Sequence, residues 1–106
     1  MKNRIPKILL IILMSNLYSA NIFGIITDQA SGEPLPMANI YINEISTITK
    51  SDVNGDFKFI NVKNGEYAIG ASYIGYETFN SQYSVSNSDL YVEIALVKSN
   101  NKENSF

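Results

Sequence analysis

Residues 51–76 read SDVNGDFKFINVKNGEYAIGASYIGY, and their apolar side chains recur at every second position. Phe57 and Phe59 fall on one face of residues 57–62, and Tyr67, Ile69 and Ala71 share a face of residues 66–73. A helix would repeat its apolar face every three or four residues, so a period of two marks half-buried strands. The punctuation agrees. Asn54-Gly55, inside DVNGD at 52–56, accepts positive φ at low cost and is the strongest hairpin signal in the chain. Lys63-Asn64-Gly65 supplies a second tight turn, and Ile74-Gly75-Tyr76 ends the stretch.

The same alternation extends outward. Upstream, residues 22–28 (IFGIITD) form a first strand, and residues 29–36 (QASGEPLP) carry a glycine and two prolines that do not suit a central ladder. Residues 38–43 set Ile40 and Ile42 against Asn39, Tyr41 and Asn43, while residues 46–51 (STITKS) are β-prone but polar, as an edge strand would be. Downstream come residues 78–85, a turn at 86–89, and residues 90–96, where Leu90, Val92, Ile94 and Leu96 point inward together. Seven short strands at such spacing predict an all-β fold, a seven-stranded antiparallel β-sandwich.

The two ends differ from this body. Residues 1–7 are basic, residues 8–14 (ILLIILM) are apolar, and residues 15–20 (SNLYSA) are small or polar. That order is that of a secretory signal, a leader helix over 1–20 that precedes the sandwich. The apolar run is well short of the ~20 residues a membrane-spanning helix needs. Cleavage after Ala20 or after Ser19 leaves Tyr18 or Leu17 at the minus-three place. The domain then covers residues 21–97, and residues 98–106 are a polar tail expected to be disordered. Export places the chain in the periplasm or at the outer membrane, or secretes it.

Without the leader, five basic residues face ten acidic ones, a net charge of −5. No cluster of lysine or arginine is present to track a phosphate backbone, so nucleic acid is not an expected partner. The chain has no cysteine and no histidine. Disulfides, thiol or serine–histidine catalysis and most zinc sites are thereby removed.

In order and spacing, a series of short motifs resembles the carboxypeptidase regulatory-like domain, a transthyretin-like (prealbumin-type) sandwich. They are Gly24-x-Ile26-x-Asp28, Gly32-Glu33-Pro34-Leu35-Pro36-x-Ala38, Asp52-x-Asn54-Gly55-x-Phe57-x-Phe59, Val62-x-x-Gly65-x-Tyr67 and Tyr73-Ile74-Gly75-Tyr76. The resemblance runs from about residue 23 to residue 96. Two places depart from it: Lys63-Asn64 stands where the family often has a proline-rich turn, and Glu44-Ile45-Ser46 where it often has a glycine-threonine pair. The residues themselves read as scaffold. Gly32, Gly55 and Gly65 permit tight turns, Pro34 and Pro36 stiffen the first loop, and Tyr67 and Tyr76 are expected to bury their rings with the hydroxyl at the rim. Such domains serve as accessory modules beside metallocarboxypeptidase catalytic domains, in surface proteins, and at the N-terminus of TonB-dependent outer-membrane receptors. A leader followed at once by the module is the receptor arrangement.

Little catalytic chemistry is on offer, and no cofactor is implied. If successive strands reverse, one end of the sandwich collects Asp28, Glu33, Asp52, Asp56 and Glu77. Asp52, Asn54 and Asp56 alternate as in some calcium loops, but no bidentate glutamate follows, so solvated turn carboxylates are the favoured reading. The reading is therefore a non-enzymatic, exported accessory module that meets protein partners in the cell envelope, a larger receptor polypeptide among them, through the strand edge at 46–51. A free-standing secreted module for carbohydrate or protein is the alternative, with only the outward Tyr41, Tyr83 and Tyr91 to suggest a sugar. A regulatory fragment related to metallocarboxypeptidases is the third.

Overall fold

A computed structural model describes residues 18–100. It contains strands β1 (Ser19–Asp28), β2 (Asn39–Ile42), β3 (Thr47–Lys50), β4 (Asp56–Lys63), β5 (Gly65–Ser72), β6 (Phe79–Val85) and β7 (Leu90–Leu96), with a short 3₁₀ turn at Asn43–Ile45. Two sheets form, one ordered β4-β1-β7 and the other β3-β2-β5-β6. Their inner faces carry the alternation read in the sequence. Ile22, Ile26, Ile40, Ile42 and Ile69 are fully buried, with Phe57, Phe59, Tyr67, Val92, Ile94 and Leu96 around them. Phe57 and Phe59 meet edge-on, 6.3 Å between ring centroids, a geometry that sets a positive ring edge on a negative face.

The seven-strand sandwich is as expected, but its pairing is mixed. β1 runs parallel to β7, Ile22 opposite Leu90 through to Asp28 opposite Leu96, while the remaining pairs are antiparallel. The first and last strands lie side by side because the chain crosses between sheets at four of its connections. The Asn54-Gly55 turn is one of them. It does not close a hairpin: β3 and β4 belong to different sheets, and Gly55 alone takes positive φ (81°) while carrying the chain across. The corner at 63–65 crosses back, held by a reciprocal pair in which Asn64 Nδ2 donates to Asn87 Oδ1 (2.7 Å) and the Asn87 N–H donates to Asn64 Oδ1 (2.9 Å).

Both ends also refine the expectation. β1 begins at Ser19, and Ala20 is buried opposite Val62, so the first ordered strand reaches into the segment assigned to the leader. The rest of the leader, residues 1–17, lies outside the described residues. The polar tail is not free from residue 98: Lys98 bridges Tyr76, the Ser99 N–H donates to the Gly75 carbonyl (2.8 Å), and the Glu77 N–H donates to the Val97 carbonyl (2.8 Å). Backbone pairing with the 75–77 segment outweighs the low hydrophobicity that suggested disorder. Residues 101–106 lie outside the described residues. No helix among the described residues is long and apolar enough to cross a membrane.

Candidate interaction surface

At one end of the sandwich the loop at 29–36 folds back along β1. The Asp28 N–H donates to the Glu33 carbonyl (2.9 Å) and the Leu35 N–H to the Ile26 carbonyl (3.0 Å), with Gly32 at φ 78° making the reversal. Gly55 packs against it so closely that a β-carbon there would lie 2.6 Å from the Ile26 carbonyl oxygen and 3.0 Å from Pro34. The predicted scaffold residues Asp28, Gly32, Pro34 and Gly55 therefore meet in one place. Pro36 is half-buried beside buried Leu35, and Gly75, at φ 89°, turns the neighbouring segment.

Two of the carboxylates at this end shape turns. Asp28 is buried and accepts from the Ala30 N–H (3.1 Å) and the Ser31 hydroxyl (3.0 Å). Asp52 Oδ1 accepts from the Asn54 N–H (2.9 Å) and the Asp56 N–H (3.0 Å), bracing the inter-sheet turn. Among the described residues no three His, Cys, Asp or Glu side chains gather as a metal would require. The Asn54 contact to Asp52 comes from its backbone N–H, one of the two that brace the turn.

Tyr67 behaves as read: its ring is buried and its hydroxyl donates to the Lys63 carbonyl (2.7 Å) at the rim. Tyr76 is half-buried against Tyr73, ring centroids 5.5 Å apart. Burial holds its hydroxyl above the ordinary tyrosine range, and the charge of Asp28, a hydrogen bond to that carboxylate and Tyr73 add to the effect.

Some residues that hold the frame carry no signal in the sequence. Ser51 is 2% exposed; its hydroxyl donates to the Leu35 carbonyl and accepts the Ala38 N–H (2.9 Å), tying the first loop to the end of β3. Tyr41 lies over Gly70, where a β-carbon would come within 2.2 Å of its ring. A lone serine or a strand glycine looks the same in sequence whether or not it does this.

A cleft of about 530 Å³ opens among the described residues, lined by Phe23, Tyr91, Phe57 and Gly24 with Thr49, Lys50, Asp52, Asp56 and Lys58. Phe23 sits between Lys58 and Tyr91 in one row across the outer face of the smaller sheet. Gly24 lies beneath, under the buried ring of Phe57. The other wall is β3, the edge of its sheet, as expected for 46–51. Its backbone is half used. Ser51 donates to the Ala38 carbonyl (3.1 Å), so by alternation Thr49 and Thr47 face β2, while Ile48 and Lys50 turn their N–H and C=O outward. The cleft is a candidate surface that combines an apolar and aromatic floor, charged side chains of both signs and a backbone edge. The space between the sheets holds the apolar core, and among the described residues no buried side-chain nitrogen or oxygen lacks a partner.

Comparison with known proteins follows the same lines. Residues 22–106 match the family described as CarboxypepD_reg-like domain. Among solved structures, a chain of a type II cohesin–X-dockerin complex from Acetivibrio cellulolyticus is 18% identical with a TM-score of 0.62, over 73% of this chain and 56% of that one. A candidate carbohydrate-binding protein from Bacteroides uniformis is 15% identical with a TM-score of 0.61, over 76% and 42%. A protein of unknown function from Bacteroides fragilis is 27% identical with a TM-score of 0.55, over 78% and 29%. The match thus spans between 29% and 56% of the length of these relatives. No curated protein matches the chain.

Proposed function

The chain belongs to the CarboxypepD_reg-like domain family, and from that premise we propose that it is an exported, non-catalytic interaction module of the cell envelope, the N-terminal domain of a TonB-dependent outer-membrane receptor. The observation that carries the reading is the division between a filled interior and an open edge. The inner faces carry the apolar core, and a cleft of aromatic, charged and backbone groups opens on the β3 side of the sandwich. A surface of that kind binds rather than transforms. The receptor context is supported by the leader followed at once by the module, and by the recurrence of this fold as part of longer chains.

Sequencing the gene beyond codon 106, together with fractionation of the envelope, tests this reading. Plug and barrel sequence downstream and recovery with the outer membrane are the expected results. A stop codon after Phe106 with a soluble, unattached product would overturn it. A second reading, glycan binding, has the adjacent Phe23 and Tyr91 on the outer face in its favour, and a glycan array that shows no binding would end it.

A further inference from the structure

The chain runs from β3 through the turn at 52–56 into β4, and each side repeats the same order of outward residues. From the turn inward, the β3 side offers Asp52, Lys50 and Ile48, and the β4 side Asp56, Lys58 and Ile60. Ile48 is 63% exposed and Ile60 62% exposed, so neither belongs to the core. The four charged residues all line the cleft. Each side of the turn therefore presents an acid, then a lysine, then an apolar side chain, spaced by two residues as on one face of a strand, with the charged residues at the cleft and Ile48 and Ile60 beyond its lining.

The edge of β3 is also the less protected of the two walls. β4 carries a register shift near Asn61, where φ is 56°, and the Asn61 N–H is taken by Asn21 Oδ1 (3.0 Å). Natural edges are blunted by such irregularities, by proline, by inward charge, by short length or by lysine, and of these β3 has its four-residue length and Lys50. β3 is regular across Thr47–Lys50, contains no proline, and points the N–H and C=O of Ile48 and Lys50 outward beside the cleft. Main-chain hydrogen bonds to an open edge supply affinity, and adjoining pockets that take alternate side chains supply selectivity.

We infer that the free edge of β3 is completed by an extended segment of a protein partner, which adds as a strand and carries on one face a basic, an acidic and an apolar residue at alternate positions. The basic residue meets Asp52, the acidic one draws Lys50 from its hydrogen bond to Asn39 Oδ1 (2.5 Å), and the apolar one packs on Ile48. Cross-strand pairs of opposite charge favour this register, and a one-residue slip turns all three side chains to the other face. The inference rests on the protein-contact reading and names the surface that performs it.

The test uses the full chain and three synthetic peptides with capped ends: Thr-Arg-Thr-Asp-Thr-Val-Thr, its reversed sequence for parallel addition, and the charge-swapped Thr-Asp-Thr-Arg-Thr-Val-Thr. Either of the first two is expected to bind at least ten times more tightly than the swapped one, with amide shifts and slowed exchange at Ile48 and Lys50. Ile48→Pro removes an outward donor and is expected to abolish binding with the melting temperature kept. Lys50→Glu leaves the backbone edge intact and is expected to weaken the preferred peptide about tenfold and to favour the swapped one. Equal binding of all three, absence of binding, protection at the β6 edge instead, or pairing of β3 with a second copy of the chain would each overturn the inference. A receptor gene that reads on into plug and barrel would leave the proposed function standing through any of those results.

Discussion

Replacing Ser51 with alanine removes one oxygen atom from a site that is 2% exposed. That oxygen accepts the Ala38 N–H at 2.9 Å and its proton satisfies the Leu35 carbonyl, so the change leaves two backbone groups without these bonds. Ala38 is fully buried and Leu35 is 7% exposed, which keeps water from replacing the hydroxyl. A buried group left unsatisfied costs about 1–3 kcal/mol. Two such groups, with some relaxation of the loop at 29–36, give an expected loss of about 2–4 kcal/mol. In a domain of this size each kcal/mol corresponds to about 4–8 °C, so the melting temperature should fall by about 8–32 °C. Urea unfolding followed by circular dichroism measures it, with Ser86→Ala, at an exposed turn, as a control expected to change by under about 0.5 kcal/mol. A loss below about 1 kcal/mol for Ser51→Ala would mean that water or a shifted backbone satisfies both groups, and the reasoning would fail.

Three further outcomes are expected. Gly24→Ala places a β-carbon 2.3 Å from Phe57 Cζ and 2.4 Å from the Val92 carbonyl oxygen; the overpacking should cost about 1–3 kcal/mol in urea unfolding, and a neutral result would contradict the described packing. Ser46 holds φ 49°, ψ 47° after the 3₁₀ turn, so Ser46→Gly should stabilise by about 0.5–1 kcal/mol, and a loss of stability would refute the left-handed assignment. Ultraviolet titration should show Tyr76 ionising above the ordinary tyrosine value of 10.0, a step absent in Tyr76→Phe. Because the fold favours the neutral phenol, this contribution is complete below the unfolded value and is lost as pH rises through the folded one. Ionisation of Tyr76 at or below the ordinary value would contradict its placement against Asp28.

What could be read from the residues was the local part of the fold. Alternation at 57–59, 67–71 and 92–96 fixed which side chains face inward, because a strand has one buried face and a period of two leaves little choice. The edge character of 46–51 followed from its polarity for the same reason. The parallel pairing of β1 with β7 was beyond reach, since it joins residues about seventy apart and no turn chemistry reports it. Asn54-Gly55 misled as a hairpin signal because positive φ serves an inter-sheet crossing equally well. In the departure from the family pattern at Glu44-Ile45-Ser46, Ser46 adopts the left-handed conformation that the family's glycine would take freely. The candidate surface was half legible. Its β3 wall was expected, but its floor depends on Phe23, Lys58 and Tyr91 coming together from three strands.

Residue-by-residue amide exchange on the isolated chain tests the central claim most directly. If two filled layers leave β3 as an open edge, the amides of Ile22, Ile26, Ile69 and Ile94 should exchange only through global unfolding, while those of Ile48 and Lys50 exchange orders of magnitude faster. Protection of Ile48 and Lys50 equal to that of Ile69 would show the edge to be closed, and uniformly fast exchange would show that the layers are not packed as described.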